Sequence, residues 1–156
     1  MNVFRPLALL LCLSFAGLSS CINRDDLIGL YTLENDCWEK GHDVCYQFEV
    51  ADTSITYDLY LEVLHTSLYP YQNIWIFLNT ETPIGTIQRD TLGMSLADEQ
   101  GRWLTPSAMF VHRCRFHVAN DRRFPHPGRY HFAVRQGMRT DTLEGVRYIS
   151  FSLRKH

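Results

Sequence analysis

The chain has 156 residues and a formal net charge of −2, and 46% of its residues are hydrophobic. This hydrophobic content excludes wholesale disorder. The slightly acidic balance argues against nucleic-acid binding, which needs a net basic face. The length suits a single domain with one core.

The N-terminus has the order of a secretory signal. Arg5 supplies a positive start, the run from Leu7 to Phe15 is almost wholly apolar, and Leu18-Ser19-Ser20-Cys21 closes it. The run is shorter than the about 20 residues that span a bilayer. Its ending resembles the lipobox of bacterial lipoproteins, in which cleavage precedes a cysteine that carries acyl chains such as palmitate. The alternative is an ordinary signal peptide with a chance cysteine near its end.

These features predict a signal peptide at residues 1–20, a lipidated Cys21 followed by a tether to residue 36, and one domain at 37–156. Without the leader, 136 residues remain with a charge of about −3. The N-terminal lipid is the predicted membrane attachment.

Three cysteines remain for the mature domain. Outside the inner membrane, a disulfide between Cys37 and Cys45 is permitted and would contribute roughly 2–3 kcal/mol if unstrained. The alternative is that these two and Cys114 are all free thiols, as their odd number allows.

Alternating apolar and polar residues dominate the domain, and this pattern predicts strands rather than helices. The predicted strands are 45–50, 57–63, 73–80, 86–92, 110–118, 130–136 and 146–153. Short strands separated by Pro, Gly, Asn and Asp predict an antiparallel β-sandwich of about seven to eight strands.

No catalytic or metal site stands out. His112 and Cys114 share a strand face, but His117 falls on the opposite face, so a metal would lack ligands. We expect surface histidines here, and no metal or cofactor. An acidic pair among Asp90, Asp98 and Glu99 could hydrolyse glycosides, but any chain this acidic offers such pairs. The sequence therefore predicts a protein that is not an enzyme.

Aromatic residues make up 13% of the chain. Tyr69 and Tyr71 flank a proline, and with Trp75 they could stack on sugars, as in a surface glycan-binding lipoprotein. The alternative is that these rings fill the core.

Several blocks, in order, resemble the gliding-motility lipoprotein GldH family of Bacteroidetes. Besides Cys21, the blocks are Tyr57–Leu61, His65–Asn73, Asp90–Leu92, Leu96–Asp98, Gly101–Leu104, Pro127–Tyr130, Gln136–Arg139 and Leu143–Val146. The resemblance implies a lipoprotein of the outer membrane, facing periplasm or medium, that serves assembly of the gliding machinery. Its partners would be protein components of the motility and type IX secretion machinery, with no enzymatic activity.

Within the shared blocks, two loops form the candidate partner surface. The first contributes Tyr69, Tyr71 and Asn73, and the second contributes Gln136, Met138 and Arg139. These residues combine hydrogen-bonding groups with a flexible apolar one, as interfaces do. The alternative is that they only determine the fold.

Overall fold

The computed structural model describes residues 26–156, so the predicted signal peptide and Cys21 lie outside the described residues. Among residues 26–156, no helix has the length and apolar character to cross a membrane. The strands, in chain order, are β1 Asp26–Thr32, β2 Cys37–Glu39, β3 Val44–Val50, β4 Thr56–Thr66, β5 Asn73–Glu81, β6 Ile87–Ser95, β7 Ser107–Ala108, β8 Val111–Arg123, β9 Gly128–Gln136, β10 Thr142–Glu144 and β11 Val146–Lys155. A 3₁₀ turn at Glu34–Asp36 joins β1 to β2.

Two antiparallel sheets form the body of the domain. The first has the order β1-β11-β4-β8-β7 and the second has the order β3-β9-β5-β6, while β10 and β2 form a separate pair. Eight strands of the described part have seven or more residues. The prediction of an antiparallel β-sandwich of about seven to eight strands is confirmed.

The sheets pack through the inward residues of alternating strands. In β4, Leu59, Leu61 and Val63 are buried, because every second residue of a strand points to the same face. The two sheets meet where the ring of Phe132 in β9 packs against Phe151 in β11, with centroids 4.7 Å apart. One core therefore lies between the sheets.

The strand register defines two ends of the sandwich. Asp26, where β1 begins, lies opposite Leu153 near the finish of β11; we call this the proximal end. At the opposite, distal end, Thr66 closes β4 beside the first residue of β8. A short loop leads from there to Asn73, which opens β5, so both sheets contribute to the distal end.

Strand β1 corrects the predicted boundary of the tether. Residues 26–32 pair with β11, and Thr32 lies opposite Tyr148. The sandwich therefore includes residues that the sequence analysis assigned to the tether at 21–36. The pattern gave little warning because β1 is an edge strand whose Leu27 and Leu30 remain exposed.

Candidate functional site

A groove on the outer face of the second sheet is the strongest candidate for a binding site. Strand β5 buries Ile74 and Ile76, whereas Trp75 and Phe77 point outward with 45% and 42% of their surfaces exposed. The groove has a volume of about 480 Å³. Its lining residues are Tyr71, Asn73, Trp75, Phe77, Thr91, Gly137, Met138 and Arg139; we call it the aromatic groove.

Two glycines give its rings room to lie on the sheet. Gly93 pairs with Trp75 across the strands, and a Cβ at position 93 would lie 2.7 Å from the indole ring. A Cβ on Gly137 would lie 3.2 Å from the ring of Phe77. Because neither glycine carries a side chain, the rings can approach the backbone closely.

Hydrogen bonds fix the loop on one side of the groove. The Gly137 N–H donates to the Trp75 carbonyl at 2.7 Å, and the Met138 N–H donates to Gln136 Oε1 at 2.8 Å. Gln136 is buried, and its amide also donates to the Thr140 carbonyl at 3.2 Å. Gln136 therefore supports the loop from below.

Tyr69 plays the same part on the other side. Its buried hydroxyl donates to the Asn73 carbonyl at 2.9 Å, and burial raises the pKa of this phenol, so it stays a hydrogen-bond donor. Its ring meets the edge of Tyr71 with centroids 5.9 Å apart. This contact holds Tyr71, 39% exposed, at the groove.

The structure brings together the two loops of the candidate partner surface. Tyr71, Asn73, Met138 and Arg139 line the aromatic groove, whereas Tyr69 and Gln136 lie beneath it. Phe77 was not predicted as a site residue, although the apolar residues on both faces of 73–80 were the available signal. The role of these residues as a partner surface stays a prediction.

The groove is suited to binding. Its lining offers aromatic rings, the thioether of Met138 and the guanidinium of Arg139, and these lining residues include no Asp, Glu, His or Cys. Aromatic, Met and Arg side chains are enriched at protein interfaces. The surface of the groove thus provides stacking, apolar contact and one positive charge.

The structure corrects the prediction of a Cys37–Cys45 disulfide, because both thiols are free. Cys37 lies 3.3 Å from the Asn35 carbonyl and Cys45 lies 3.8 Å from the Asp43 carbonyl. The strands on either side of the turn between them have different partners: β2 pairs with β10, and β3 pairs with β9. The two cysteines consequently belong to different sheets.

A buried polar cluster lies at the distal end. His65 Nε2 is 3.7 Å from Cys114 Sγ, and His112 Nδ1 is 2.9 Å from the Thr105 carbonyl. Burial lowers the pKa of His65 and raises that of Cys114, so both groups stay neutral. The expectation that His112 lies on the surface is wrong, whereas His117 does face away from it and is exposed.

One group at the proximal end has donor atoms that could hold a metal ion. The ligand atoms of Asp58, Asp121 and His156 lie within 4.8 Å of one another. The Asp58 carboxylate already accepts the Asp121 N–H at 3.1 Å and lies 2.8 Å from His156 Nε2. These contacts lower the pKa of Asp58 and satisfy its oxygens within the protein.

Asp98, one of the carboxylates considered for hydrolysis, is not prepared as a catalytic acid. Asp90 lies in β6, while Asp98 lies in the following loop. Asp98 accepts the backbone N–H of Arg102 at 2.9 Å and its side chain at 2.8 Å, and these bonds lower the pKa of Asp98. A glycosidase acid needs the opposite shift.

A comparison with known protein families identifies the family of this chain. A family model described as GldH lipoprotein matches residues 29–153. The chain belongs to the GldH lipoprotein family. The match includes the aromatic groove and at least part of each long strand. Membership confirms the resemblance drawn from the sequence blocks and makes the chain a lipoprotein, anchored at a membrane of the cell envelope.

Two relatives cover most of this GldH-family chain. A gliding motility lipoprotein GldH homolog of Christiangramia forsetii is 24% identical over 125 residues, which span 76% of this chain and 77% of that protein. The gliding motility lipoprotein GldH of Flavobacterium johnsoniae is 23% identical over 130 residues, which span 79% and 80%.

Among solved structures, a family 16 carbohydrate binding module-2 aligns with a TM-score of 0.27 and 11% identity. The alignment covers 75% of this chain and 73% of the module. A TM-score of this size supports no inference about the ligand of the GldH-family protein.

Proposed function

We propose that this chain is a non-enzymatic, accessory lipoprotein of the gliding motility and envelope assembly machinery of Bacteroidetes. Two relatives carry names that link them to gliding motility, and the family match supports the same role here. The lipid on Cys21 holds the domain at the outer membrane.

The aromatic groove is the docking site for a protein component of that machinery. One observation carries this assignment: exposed rings, a thioether and a guanidinium converge in a concave site. Interfaces favour these side chains, and hot spots are enriched in Trp, Tyr and Arg. The braced loops of Gln136 and Tyr69 hold the site ready, so little ordering is needed on binding.

The location of the groove fits a tethered receptor. Asn73 and Gln136 mark the distal end of the second sheet, whereas the chain enters at Asp26 on the proximal end. A lipid attached before Asp26 therefore leaves the groove open to a partner in the envelope.

A second candidate function is glycan binding by the same surface. The exposed rings of Tyr71 and Trp75 favour it, since flat rings can stack on sugars. Tyr69, the third residue considered for that role, is buried and takes no part. Binding of the purified lipoprotein to glycan arrays, lost on Trp75→Ala, would support this candidate.

Crosslinking in intact cells tests the proposed function. The full chain, tagged at its C-terminus and made at its native level, is crosslinked, and the recovered proteins are identified by mass spectrometry. A Cys21→Ala strain serves as the unanchored control. A Tyr71→Ala/Trp75→Ala strain tests the groove, and Ile87→Ala, an exposed residue of the same sheet, is its matched control.

We expect wild type and Ile87→Ala to recover motility or type IX secretion components. The unanchored strain and the groove double variant should both lose them. Recovery of glycan-import proteins, recovery of nothing reproducible, or full recovery by the groove double variant would contradict the proposal.

A further inference from the structure

The hairpin that joins β7 to β8 has an unusual turn. Ala108 pairs with Val111, so only Met109 and Phe110 form its loop, with φ angles of 50° and 63°. Two-residue hairpins with positive φ at both positions are normally built from Asn-Gly, Asp-Gly or Gly-Gly. Bulky side chains are strained in this conformation, and such strain concentrates at ligand clamps and other functional sites.

The same two side chains are almost fully exposed. Met109 is 91% exposed and Phe110 is 80% exposed, and Leu68 from the neighbouring loop is 86% exposed. We call these three residues the apolar tip. A cluster of exposed apolar groups on a soluble domain marks an interaction site, and here it coincides with the strained turn.

The apolar tip is held rigidly from below. The Ser67 N–H and hydroxyl donate to the Phe110 carbonyl at 2.9 and 3.2 Å. The same hydroxyl lies 3.2 Å from Nε2 of the buried His112, whose Nδ1 bonds the Thr105 carbonyl. The buried polar cluster therefore braces the hairpin, which reduces the entropy lost on binding.

A hollow of about 540 Å³ lies at the base of the tip, and Leu68, Met109 and Phe110 form part of its lining. Its charged lining residues are Asp36, Arg147 and Glu144. Asp36 and Arg147 pair with each other at 2.9 Å, so Glu144 makes this surface net negative.

We propose that the apolar tip inserts into an apolar socket of a partner protein, and that a basic side chain at the rim of this socket faces Glu144. The site is separate from the aromatic groove. The inference rests on the proposed function in one respect, the lipid anchor at Cys21.

The reach of the anchor argues against insertion into the anchoring membrane. Five residues from Cys21 to Asp26 span at most about 17 Å. Asp26 is level with Leu59 of β4, and the tip lies beyond Thr66, at least about 23 Å further along the strands. With the strands upright on the membrane and the tip in the bilayer, the chain could not reach its own lipid.

The anchor also disfavours a second copy as the occupant. Tips point along the strands at the distal end, so two copies in one membrane would point the same way. For each tip to insert into the other copy, the two copies would have to meet at their distal ends. Their anchored proximal ends would then face away from each other. The occupant is therefore a different protein, located on the side away from the anchoring membrane.

Photocrosslinking of the full-length lipoprotein in intact cells tests this inference. The variant Phe110→p-benzoylphenylalanine reports on the tip, and Ile87→p-benzoylphenylalanine is the control at the proximal end. A third strain carries Leu68→p-benzoylphenylalanine alone, and a fourth combines it with Met109→Asn/Phe110→Gly. Because Asn-Gly suits this turn, the melting temperature of the Met109→Asn/Phe110→Gly protein should equal or exceed that of wild type.

We expect position 110 to give one discrete protein adduct that position 87 does not give, and Met109→Asn/Phe110→Gly to abolish the adduct from position 68. An adduct with twice the mass of this chain, adducts with lipid alone, no adduct, or an adduct kept by the Asn-Gly variant would overturn the inference. Tyr71→Ala/Trp75→Ala, added to the position 110 strain, separates the two proposals. If the tip adduct survives in this strain, and the partners recovered in the groove experiment are also unchanged, only the proposal for the aromatic groove is contradicted.

Discussion

The indole ring of Trp75 lies across Gly93, its partner on the neighbouring strand, so closely that a Cβ at position 93 would come within 2.7 Å of the ring. Ring and glycine therefore form one unit of the aromatic groove. The ring stays on the sheet surface, 45% exposed, because the opposite residue has no side chain.

Substitution Gly93→Ala should displace the Trp75 ring and reshape the groove. We expect it to reduce the free energy of unfolding by about 1–3 kcal/mol, the usual cost of overpacking, and to shift the tryptophan emission. Chemical denaturation followed by fluorescence measures both. Arg89→Ala, on the same strand, exposed and outside the groove lining, should cost less than about 0.5 kcal/mol. Identical spectra and stabilities for the two variants would contradict this packing.

Substitution Tyr46→Phe removes a hydrogen bond between the sheets. The buried Tyr46 hydroxyl donates to the Ile149 carbonyl at 2.7 Å. Loss of this bond should lower the free energy of unfolding by about 1–2 kcal/mol, as measured by urea denaturation. The matched variant Tyr31→Phe, at an exposed tyrosine of β1, should change it little. Equal effects of the two variants would argue against the inter-sheet bond.

Acidification should destabilise the domain through His65. Burial lowers the pKa of this ring below its ordinary value of 6.5. As pH falls through about 6.5, the unfolded chain binds a proton that the folded ring refuses, so the unfolded state gains stability. We expect the melting temperature to drop between about pH 7.5 and 5.5.

The variant His65→Phe supplies the control for this pH dependence. It should melt at a lower temperature at neutral pH, because Cys114 and the Thr66 carbonyl each lose their contact with the imidazole. Its melting temperature should nevertheless depend less on pH over the same range. A flat wild-type profile, or an unchanged slope in the variant, would show that His65 is not held neutral.

Thiol labelling should follow burial. Cys45 is exposed, Cys37 is half-buried and Cys114 is buried. Without prior reduction, a maleimide should therefore label Cys45 first, Cys37 more slowly and Cys114 only after unfolding, as followed by mass spectrometry. If Cys37 and Cys45 became reactive only after reduction, they would form the disulfide that the structure lacks.

The sequence pattern was sufficient to predict the sandwich because inward-facing residues such as Leu59, Leu61 and Val63 occupy every second position within one short stretch of the chain. The same alternation in β4 places His65 in the buried row, a signal that the sequence analysis did not use. The exposure of Trp75 was not predictable from the pattern, since apolar residues on both faces do not reveal whether a second layer covers the outer face.

Two further features depend on tertiary structure. The hairpin turn at Met109 and Phe110 has none of the Gly, Asn or Asp residues that mark such turns, and only pairing of Ala108 with Val111 reveals it. Gln136 and Tyr69 were predicted as part of the partner surface. Their actual role, holding the lining residues in place, depends on hydrogen bonds to the Met138 N–H and the Asn73 carbonyl.

The central claim is that a partner covers the aromatic groove in the envelope. Maleimide labelling of Thr91→Cys, which lines the groove and leaves its rings in place, tests it most directly when compared with native Cys45 in the same molecule. Both positions are exposed, so their ratio cancels differences in reagent access between cells and purified protein. We predict that position 91 is protected relative to Cys45 in intact cells and not in the purified lipoprotein. An equal ratio in both would contradict the account.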